Sequence, residues 1–190
     1  ELAIMLPEKN EDAINIFSLG LILTIAISFL VLIVITTFNS QIIELMGNEK
    51  IKNWLYLIPF SIFLSGVYNL LYYYNTRIKM YKDISKSGVA RSVISVFSQI
   101  TISFLQKGVA GLISGQIFSQ LFGNIKLANN LIKDKLLLSN ISRQKMIDMA
   151  RKYKKFPKYS VLAGFTNSLS LNGTNILISS VFNSSTLGFY

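Results

Sequence analysis

The chain contains no cysteine and no histidine among its 190 residues. Without cysteine there are no disulfides or thiolate-bound metals, and without histidine there is no imidazole base or metal ligand. Charged residues are also scarce, at 15% of the chain, whereas soluble domains usually carry about a quarter. Hydrophobic residues make up 51%, and the mean hydropathy is +0.46. These features exclude an ordinary soluble domain and predict an integral membrane protein.

Acidic residues are missing from the long apolar stretches, as are the sequence patterns of known catalytic sites. Each Asp and Glu lies before the first stretch or in a segment between two of them. The spans therefore contain no proton-relay carboxylate and no pair of catalytic carboxylates. No phosphate-binding glycine loop of the nucleotide-hydrolase type is present either. We expect no enzymatic activity, no cofactor and no metal site.

The apolar residues are gathered into long stretches without charge. These are residues 13–43, 53–76, 92–106, 108–125 and 159–190. A helix of about 20 residues crosses a hydrocarbon layer roughly 30 Å thick, and the stretches are too long and too uniformly apolar for barrel strands. The predicted fold class is therefore an all-α polytopic membrane protein. Its five helical spans are placed near 13–38, 53–76, 88–106, 108–125 and 159–182.

The cations are distributed unevenly between the segments that join the spans. Segments 1–12, 77–87 and 126–158 fall on one side and carry fifteen lysines and arginines, against three on the other side. The positive-inside rule predicts that these three segments are cytoplasmic. The net charge of +10 is thus explained by membrane topology, and no nucleic-acid partner is expected.

The longest of these segments, 126–158, is predicted to contain a basic amphipathic helix. One approximate helical face consists of Ile141, Met146, Met149, Ala150 and Tyr153. Such a helix is expected to lie on the inner leaflet and to bind its anionic lipids. A solvated loop that merely obeys the positive-inside rule is an equally good interpretation.

Two neighbouring faces of the span near 108–125 carry distinct patterns. Small residues at every fourth position predict a ridge against which another helix packs closely. They are Gly111, Gly115, Ser119 and Gly123. The adjoining face carries amides at the same spacing, at Gln116, Gln120 and Asn124. Amides inside a membrane either bond a neighbouring helix or line a wet cavity, and both interpretations stay open.

Polar side chains within the spans are the candidates for a substrate cavity. The full set is Asn69, Arg91, Gln99, Gln116, Gln120, Asn167, Asn172 and Asn175. Arg91, one turn inside the span near 88–106, is either an anchor that reaches the headgroups or a cation at a cavity mouth that meets a phosphate. Pro59 is expected to permit a bend in the span near 53–76.

Four strings of the sequence carry a family resemblance. In order they are ELAIMLPEKNEDAINIFSLGL, LYLIPFSIFLSGVYNLLYYYNTRIKMYKDISKSGVARS, GLISGQIFSQLFGN and ARKYKKFPKYSVLAGFTNSLS. Together they resemble the polysaccharide biosynthesis flippases, the Wzx-type translocases of O-antigen and exopolysaccharide. The resemblance covers essentially the whole chain, and YNTRIKMYKDISKS and YKKFPKYS are its specific parts.

The resemblance implies a MATE-like bundle of two six-helix lobes, as in the multidrug/oligosaccharidyl-lipid/polysaccharide exporter superfamily. Residues 1–125 would then be part of the first lobe, 126–158 would join the lobes, and 159–190 would begin the second, within a longer protein. The implied activity is translocation of undecaprenyl-diphosphate-linked oligosaccharides across the bacterial plasma membrane by alternating access, alongside other polysaccharide-assembly proteins. Many members have a proline where this chain reads SLNGTN, so Gly173 is the only candidate flexible point there.

Three other functions fit parts of the sequence. A cation-coupled drug exporter of the same superfamily often uses an intramembrane carboxylate. A membrane-embedded polymerase or glycosyltransferase of the same pathway would need catalytic carboxylates or arginine-rich outer loops, and the outer loop 39–52 offers only Lys50 and Lys52. A structural scaffold would not need polar faces on three spans. The flippase is the interpretation that we carry forward.

Overall fold

A computed structural model describes residues 1–46, 52–105, 110–134 and 138–181. The α-helices are α1 (Asn10–Met46), α2 (Leu57–Arg77), α3 (Tyr81–Leu105), α4 (Ala110–Lys133), α5 (Arg143–Lys152) and α6 (Lys155–Val181). Single 3-10 turns at Leu2–Met5 and Trp54–Tyr56 precede α1 and α2. No strand occurs among the residues that the structure describes. The all-α prediction is confirmed.

Within the described ranges, two helices are long and apolar enough to cross a membrane: Asn10–Leu45, and Trp54–Arg77 with its preceding turn. Only 11% of the most apolar window of the first helix is buried inside the protein, so its hydrophobic surface faces outward. The core helix of a soluble protein hides such a surface, whereas lipid accepts it. The chain is therefore a membrane protein. The spans predicted near 88–106, 108–125 and 159–182 fall on α3, α4 and α6, and their crossing of the membrane stays a prediction.

The helices extend beyond the apolar stretches from which they were predicted. The polar residues that open α3 belong to the helix but not to the apolar run, because hydropathy locates the bilayer rather than the helix end. The same holds for the end of α4, which continues to Lys133. The expected bend at Pro59 is wrong: α2 begins at Leu57, so the proline lies in the first turn, where its missing N–H costs no helical bond. The non-helical residue is instead Phe38 in α1 (φ −109°, ψ 20°).

Helices α1 and α2 pack as an antiparallel pair through glycines. A Cβ at Gly20 would overlap the side chain of Leu70, and a Cβ at Gly66 would overlap that of Thr24. Helix α4 then lies parallel to α2: the buried amide of Asn124 donates to the Leu64 carbonyl at 2.9 Å, and further along both helices Asn75 donates to the Leu127 carbonyl at 3.2 Å. Close contacts between glycine and a larger residue thus replace the hydrophobic driving force that lipid cannot supply.

The described first-unit parts of the segments predicted to share one side of the membrane lie at one end of this bundle. Arg77, at the end of α2, donates to the Asn10 side chain at 3.0 Å and to the Glu8 carbonyl at 3.1 Å. Asn15 accepts from the Ser142 backbone N–H at 2.9 Å, so the segment before α5 is held against α1. Arg77 thus connects 77–87 to 1–12, and the ion pair of Lys145 with Glu11 at 3.0 Å connects 126–158 to 1–12.

The chain divides into two compact units, Glu1–Met149 and Ala150–Tyr190. The first contains α1 to α4 and most of α5, and the second contains α6. Helix α6 carries Pro157 in its first turn, where proline is tolerated. It continues through Gly173, so the backbone at this candidate flexible point is helical.

Candidate functional site

The small-residue ridge of α4 lies directly against α3. A Cβ at Gly111 would overlap Ser103 and lie 3.0 Å from the Gln99 carbonyl oxygen. A Cβ at Gly115 would overlap Gln99 and lie 3.0 Å from the Ser95 carbonyl oxygen. The two backbones therefore approach as closely as glycine permits. Among the described residues of the first unit, the antiparallel pair α3–α4 is the most extensive helix contact.

This packing decides where Gln99 lies. Its side chain covers Gly115, and its Nε2 donates to the hydroxyl of Ser95 at 3.0 Å on the same helix. It also borders an open, mainly apolar groove of about 430 Å³, together with Phe104. Ser95, Gln99 and Ser103 of α3 thus contact the glycines of the α4 ridge, and a contact of Gln99 with substrate stays a prediction.

Arg91 lies deeper in its helix than the sequence indicated. Helix α3 begins at Tyr81, which places Arg91 about 15 Å along the helix axis. Its guanidinium carbon lies 3.9 Å from the centroid of the Tyr68 ring on α2. Its aliphatic stem crosses Gly123 of α4, where a Cβ would lie 2.5 Å from Cδ. The arginine is therefore held between three helices.

Tyr68 is the main electrostatic partner of Arg91 among the described residues. A guanidinium over a tyrosine face gains about 0.5–1 kcal/mol when exposed, and about 2 kcal/mol when water is excluded. Nε of Arg91 is buried and has no hydrogen-bond partner within the described part of the chain. The negative face of the Tyr68 ring attracts the positive guanidinium. It offers no conventional hydrogen-bond acceptor, so the N–H donors of Arg91 are not used by this contact.

Two amides of α4 flank the glycine that the arginine crosses. Gln120, which is 3% exposed, lies one turn before Gly123. Asn124 directly follows Gly123 and is also buried. Among the described residues, Oε1 of Gln120 and Oδ1 of Asn124 are buried without a hydrogen-bond partner. An unsatisfied buried polar atom costs about 1–3 kcal/mol. One donor, on Arg91, and two acceptors are thus available within about a turn of Gly123 along α3 and α4.

The remaining candidates of the first unit are separate from this cluster. Gln116 is exposed, although it continues the amide face of α4. Asn69 is also exposed and lines a groove of about 320 Å³ between α1 and α2, with Thr24 and Ser65 among its walls. Arg91 thus contacts α4 at Gly123, one turn after the buried Gln120, whereas Gln116 and Asn69 are exposed.

Helix α6 carries the other three predicted amides. Asn167 and Asn172 are exposed within their own unit, and Asn172 donates to the Ser168 carbonyl of its own helix at 3.0 Å. The side chain of Asn175 lies outside the described residues. A contact of these amides with substrate stays a prediction.

A further polar cluster was missed by the sequence analysis. Asn75 is fully buried and donates to the carbonyls of Leu71 (2.8 Å) and Leu127 (3.2 Å). The amide nitrogen of Asn130 donates both to Asn75 Oδ1 (2.7 Å) and to Asp83 Oδ2 (3.0 Å). Position 75 lies at the end of the span predicted near 53–76, where a polar residue is ordinary. Its spacing of seven from Tyr68 places both residues on one face of α2. This spacing could have indicated that Asn75 faces the inside of the bundle.

These observations define an all-α membrane bundle that holds an arginine and unsatisfied amides between its helices. Residues 5–190 match the family described as polysaccharide biosynthesis protein. The chain belongs to this family and takes part in polysaccharide biosynthesis. No curated protein and no solved structure matches it. The sequence resemblance is confirmed at the level of polysaccharide biosynthesis.

Proposed function

We propose that the protein is a flippase, which moves undecaprenyl-diphosphate-linked oligosaccharide repeat units across the bacterial plasma membrane. Membership of a polysaccharide biosynthesis family and an outward-facing apolar surface support this proposal. A membrane protein can serve that pathway by synthesis, polymerisation or transport. Transport is the role that requires polar groups inside the bundle without catalytic groups.

The observation that carries the proposal is the environment of Arg91. A cation inside a membrane bundle is costly unless a counter-charge or a polar ligand compensates for it. Tyr68 supplies a π-face only, and Nε stays without a partner among the described residues. A diphosphate would supply the missing acceptors, and guanidinium–phosphate contacts are among the strongest charge-assisted hydrogen bonds. The transported headgroup fits this requirement.

The unsatisfied amide oxygens within about a turn of Gly123 complement the sugar part of the same substrate. Oligosaccharide hydroxyls are donors as well as acceptors, so they would satisfy Oε1 of Gln120 and Oδ1 of Asn124. A substrate with an anionic end and a polyhydroxy end thus pairs with the donor on α3 and the acceptors on α4. Binding would require the helices around Gly123 to part, as alternating access provides.

The orientation belongs to the same proposal. Segments 1–12, 77–87 and 126–158 face the cytoplasm, with α5 lying on the inner leaflet among anionic lipids. Within the first unit, Lys145 of α5 pairs with Glu11 at 3.0 Å, which is consistent with 1–12 and 126–158 sharing one side, and the exposed Arg143 is available to an anionic headgroup.

Replacement of Arg91 in the protein expressed in its own host tests the proposal. Arg91→Ala should lower surface polysaccharide about tenfold or more, since a charge-assisted hydrogen bond contributes about 1.5–3 kcal/mol. Arg91→Lys should restore part of it, because lysine keeps the charge but loses the planar fork. Lys82→Ala, an exposed cation of the same helix, is the matched control. Normal polysaccharide in both Arg91 variants, at normal protein levels, would reduce Arg91 to a membrane anchor.

A further inference from the structure

A third groove lies on the exposed side of the α3–α4 pair. It encloses about 520 Å³, and its apolar wall is formed by Val89, Ala90, Val93 and Ile94 of α3. Val89 and Val93 are 66% and 61% exposed, so the groove opens outward rather than into the helix interface. Nothing in the function proposed above uses it.

Two lysines, one from each helix, stand at one end of this groove. Lys86 precedes the apolar wall by about one turn, and Lys126 is the groove residue contributed by α4. The helix register explains why they meet: Ser87 donates to the Gly123 carbonyl at 3.3 Å, which sets position 126 beside the start of α3. No acidic side chain lines the groove, and neither lysine has an ion-pair partner among the described residues.

The depth of the lysines matches a membrane surface. From Lys86 to the last residue of α3, Leu105, the helix rises about 28 Å; from the first residue of α4, Ala110, to Lys126 it rises about 24 Å. The hydrocarbon layer is about 30 Å thick. If both helices cross it, the two ammonium groups lie at the headgroup level and the valines lie at the depth of the acyl chains.

We propose that this groove binds an anionic phospholipid of the surrounding bilayer. Its phosphate lies between Lys86 and Lys126, and one acyl chain follows Val89 and Val93. Two cations without counter-ions attract an anionic headgroup, and an outward-open apolar groove admits a chain sideways from the bilayer. This site is distinct from the Arg91 cluster, which lies between the helices. The proposal rests on α3 and α4 crossing the membrane and not on the transported substrate.

Native mass spectrometry of the purified full-length protein, titrated with phosphatidylglycerol or phosphatidylcholine, tests the site. The wild type should retain phosphatidylglycerol preferentially. Lys86→Gln with Lys126→Gln should lower its retention about tenfold or more, since each cation near a membrane surface contributes about 1 kcal/mol. Lys82→Gln with Lys133→Gln removes the same charge from exposed positions outside the groove and should leave retention within about twofold.

A single substitution tests the groove without changing its charge. Its result does not depend on whether the variant with both groove lysines replaced folds. Val93→Trp fills the outward-open groove and should release phosphatidylglycerol although both lysines remain. Equal losses in the two double variants would assign the binding to the basic surface in general and overturn the proposal. Displacement of phosphatidylglycerol by undecaprenyl phosphate at lower concentration, with the same dependence on Lys86 and Lys126, would assign the groove to the transported lipid and also overturn it.

Discussion

The glycines of α4 face two kinds of neighbouring group, backbone carbonyls or side chains, and this difference gives them different roles. At Gly111 and Gly115 the nearest groups include backbone carbonyls of α3, which cannot move without moving the helix. At Gly123 the neighbours are the stem of Arg91 and the ring of Tyr68, which are side chains. The first two glycines therefore fix the separation of the helices, and the third sets the position of the cation.

A methyl group at position 115 should separate the two helices. Gly115→Ala would place its Cβ 3.0 Å from the Ser95 carbonyl oxygen, so we expect a loss of about 1–3 kcal/mol in the free energy of unfolding. Gly88→Ala is the control, because a Cβ there meets nothing within 4 Å and alanine favours the helix by about 1 kcal/mol. Thermal unfolding in detergent measures both. A Gly115→Ala protein as stable as Gly88→Ala would show that the ridge does not determine the packing.

The ridge and the amide face were predictable from spacing, but the state of each amide was not. A repeat of four places residues on one face whatever the neighbouring helix is. Whether an amide is satisfied depends on which carbonyl of another helix lies opposite, and that is settled only by packing. Asn124 has the Leu64 carbonyl opposite it, whereas Gln116, two turns earlier, lies on the outside.

At the scale of the helices, one hydrogen-bonded cluster connects α2, α4 and α3 through Asn75, Asn130 and Asp83. It lies at the end of the bundle where segments 1–12 and 77–87 meet. Asn75 uses both its donors and its acceptor, and its partners come from two helices. A side chain so fully bonded and buried specifies the register of α2 against α4, because a shift by one residue would leave several polar groups unpaired.

Removal of the Asn75 amide should weaken the bundle more than removal of an exposed one. Asn75→Ala leaves the Leu127 carbonyl and the Asn130 amide without this partner, and we expect a loss of about 1–3 kcal/mol. Asn129→Ala, an exposed amide on α4, should change stability by less than about 0.5 kcal/mol. Denaturation in detergent compares them, and equal stability of the two variants would contradict this role of Asn75.

Asn15 fixes the segment before α5 against α1, by hydrogen bonds of its buried amide. Fully buried, it accepts from the Ser142 N–H at 2.9 Å and donates to the Asn140 carbonyl at 3.1 Å. The nearby ion pair between Lys145 and Glu11 is nearly half exposed on both sides and contributes little. Two hydrogen bonds of one amide, rather than the visible salt bridge, should therefore hold this segment to α1.

Limited trypsin digestion distinguishes these two contributions. Asn15→Ala should free the segment and raise the rate of cleavage after Arg143 and Lys145 about fivefold or more, which corresponds to about 1 kcal/mol of local stability. Glu11→Gln removes the ion pair and keeps both cleavage sites, so its rate should stay within about twofold of the wild type. Faster cleavage in Glu11→Gln than in Asn15→Ala would reverse the assignment.

At the scale of the whole molecule, the first unit combines an apolar outer surface with polar groups between helices. Hydropathy predicted the outer surface, because lipid contact requires only composition and length. It did not predict the depth of Arg91, because the polar start of α3 is helical although it is not apolar. Nor did it predict the contact with Tyr68, since a tyrosine near the end of a span is also what an interfacial aromatic belt requires.

The resemblance and the family membership assign the pathway, and the arginine between α2, α3 and α4 favours one step of it. A polymerase would join repeat units into a longer glycan, whereas a translocase moves each unit without changing it. Loss of a translocase stops the units before they cross. The lipid-linked intermediate that accumulates, and the side on which it accumulates, therefore separate these functions.

The most direct measurement is mass spectrometry of the lipid-linked intermediates after deletion of the encoding gene in its own host. Our account predicts that undecaprenyl-diphosphate-linked repeat units accumulate on the cytoplasmic side while surface polysaccharide disappears. The intact gene should reverse both effects, Arg91→Ala should not, and drug sensitivity should stay unchanged. Unchanged surface polysaccharide with a loss of drug resistance would contradict the account and identify the protein as an exporter of small molecules.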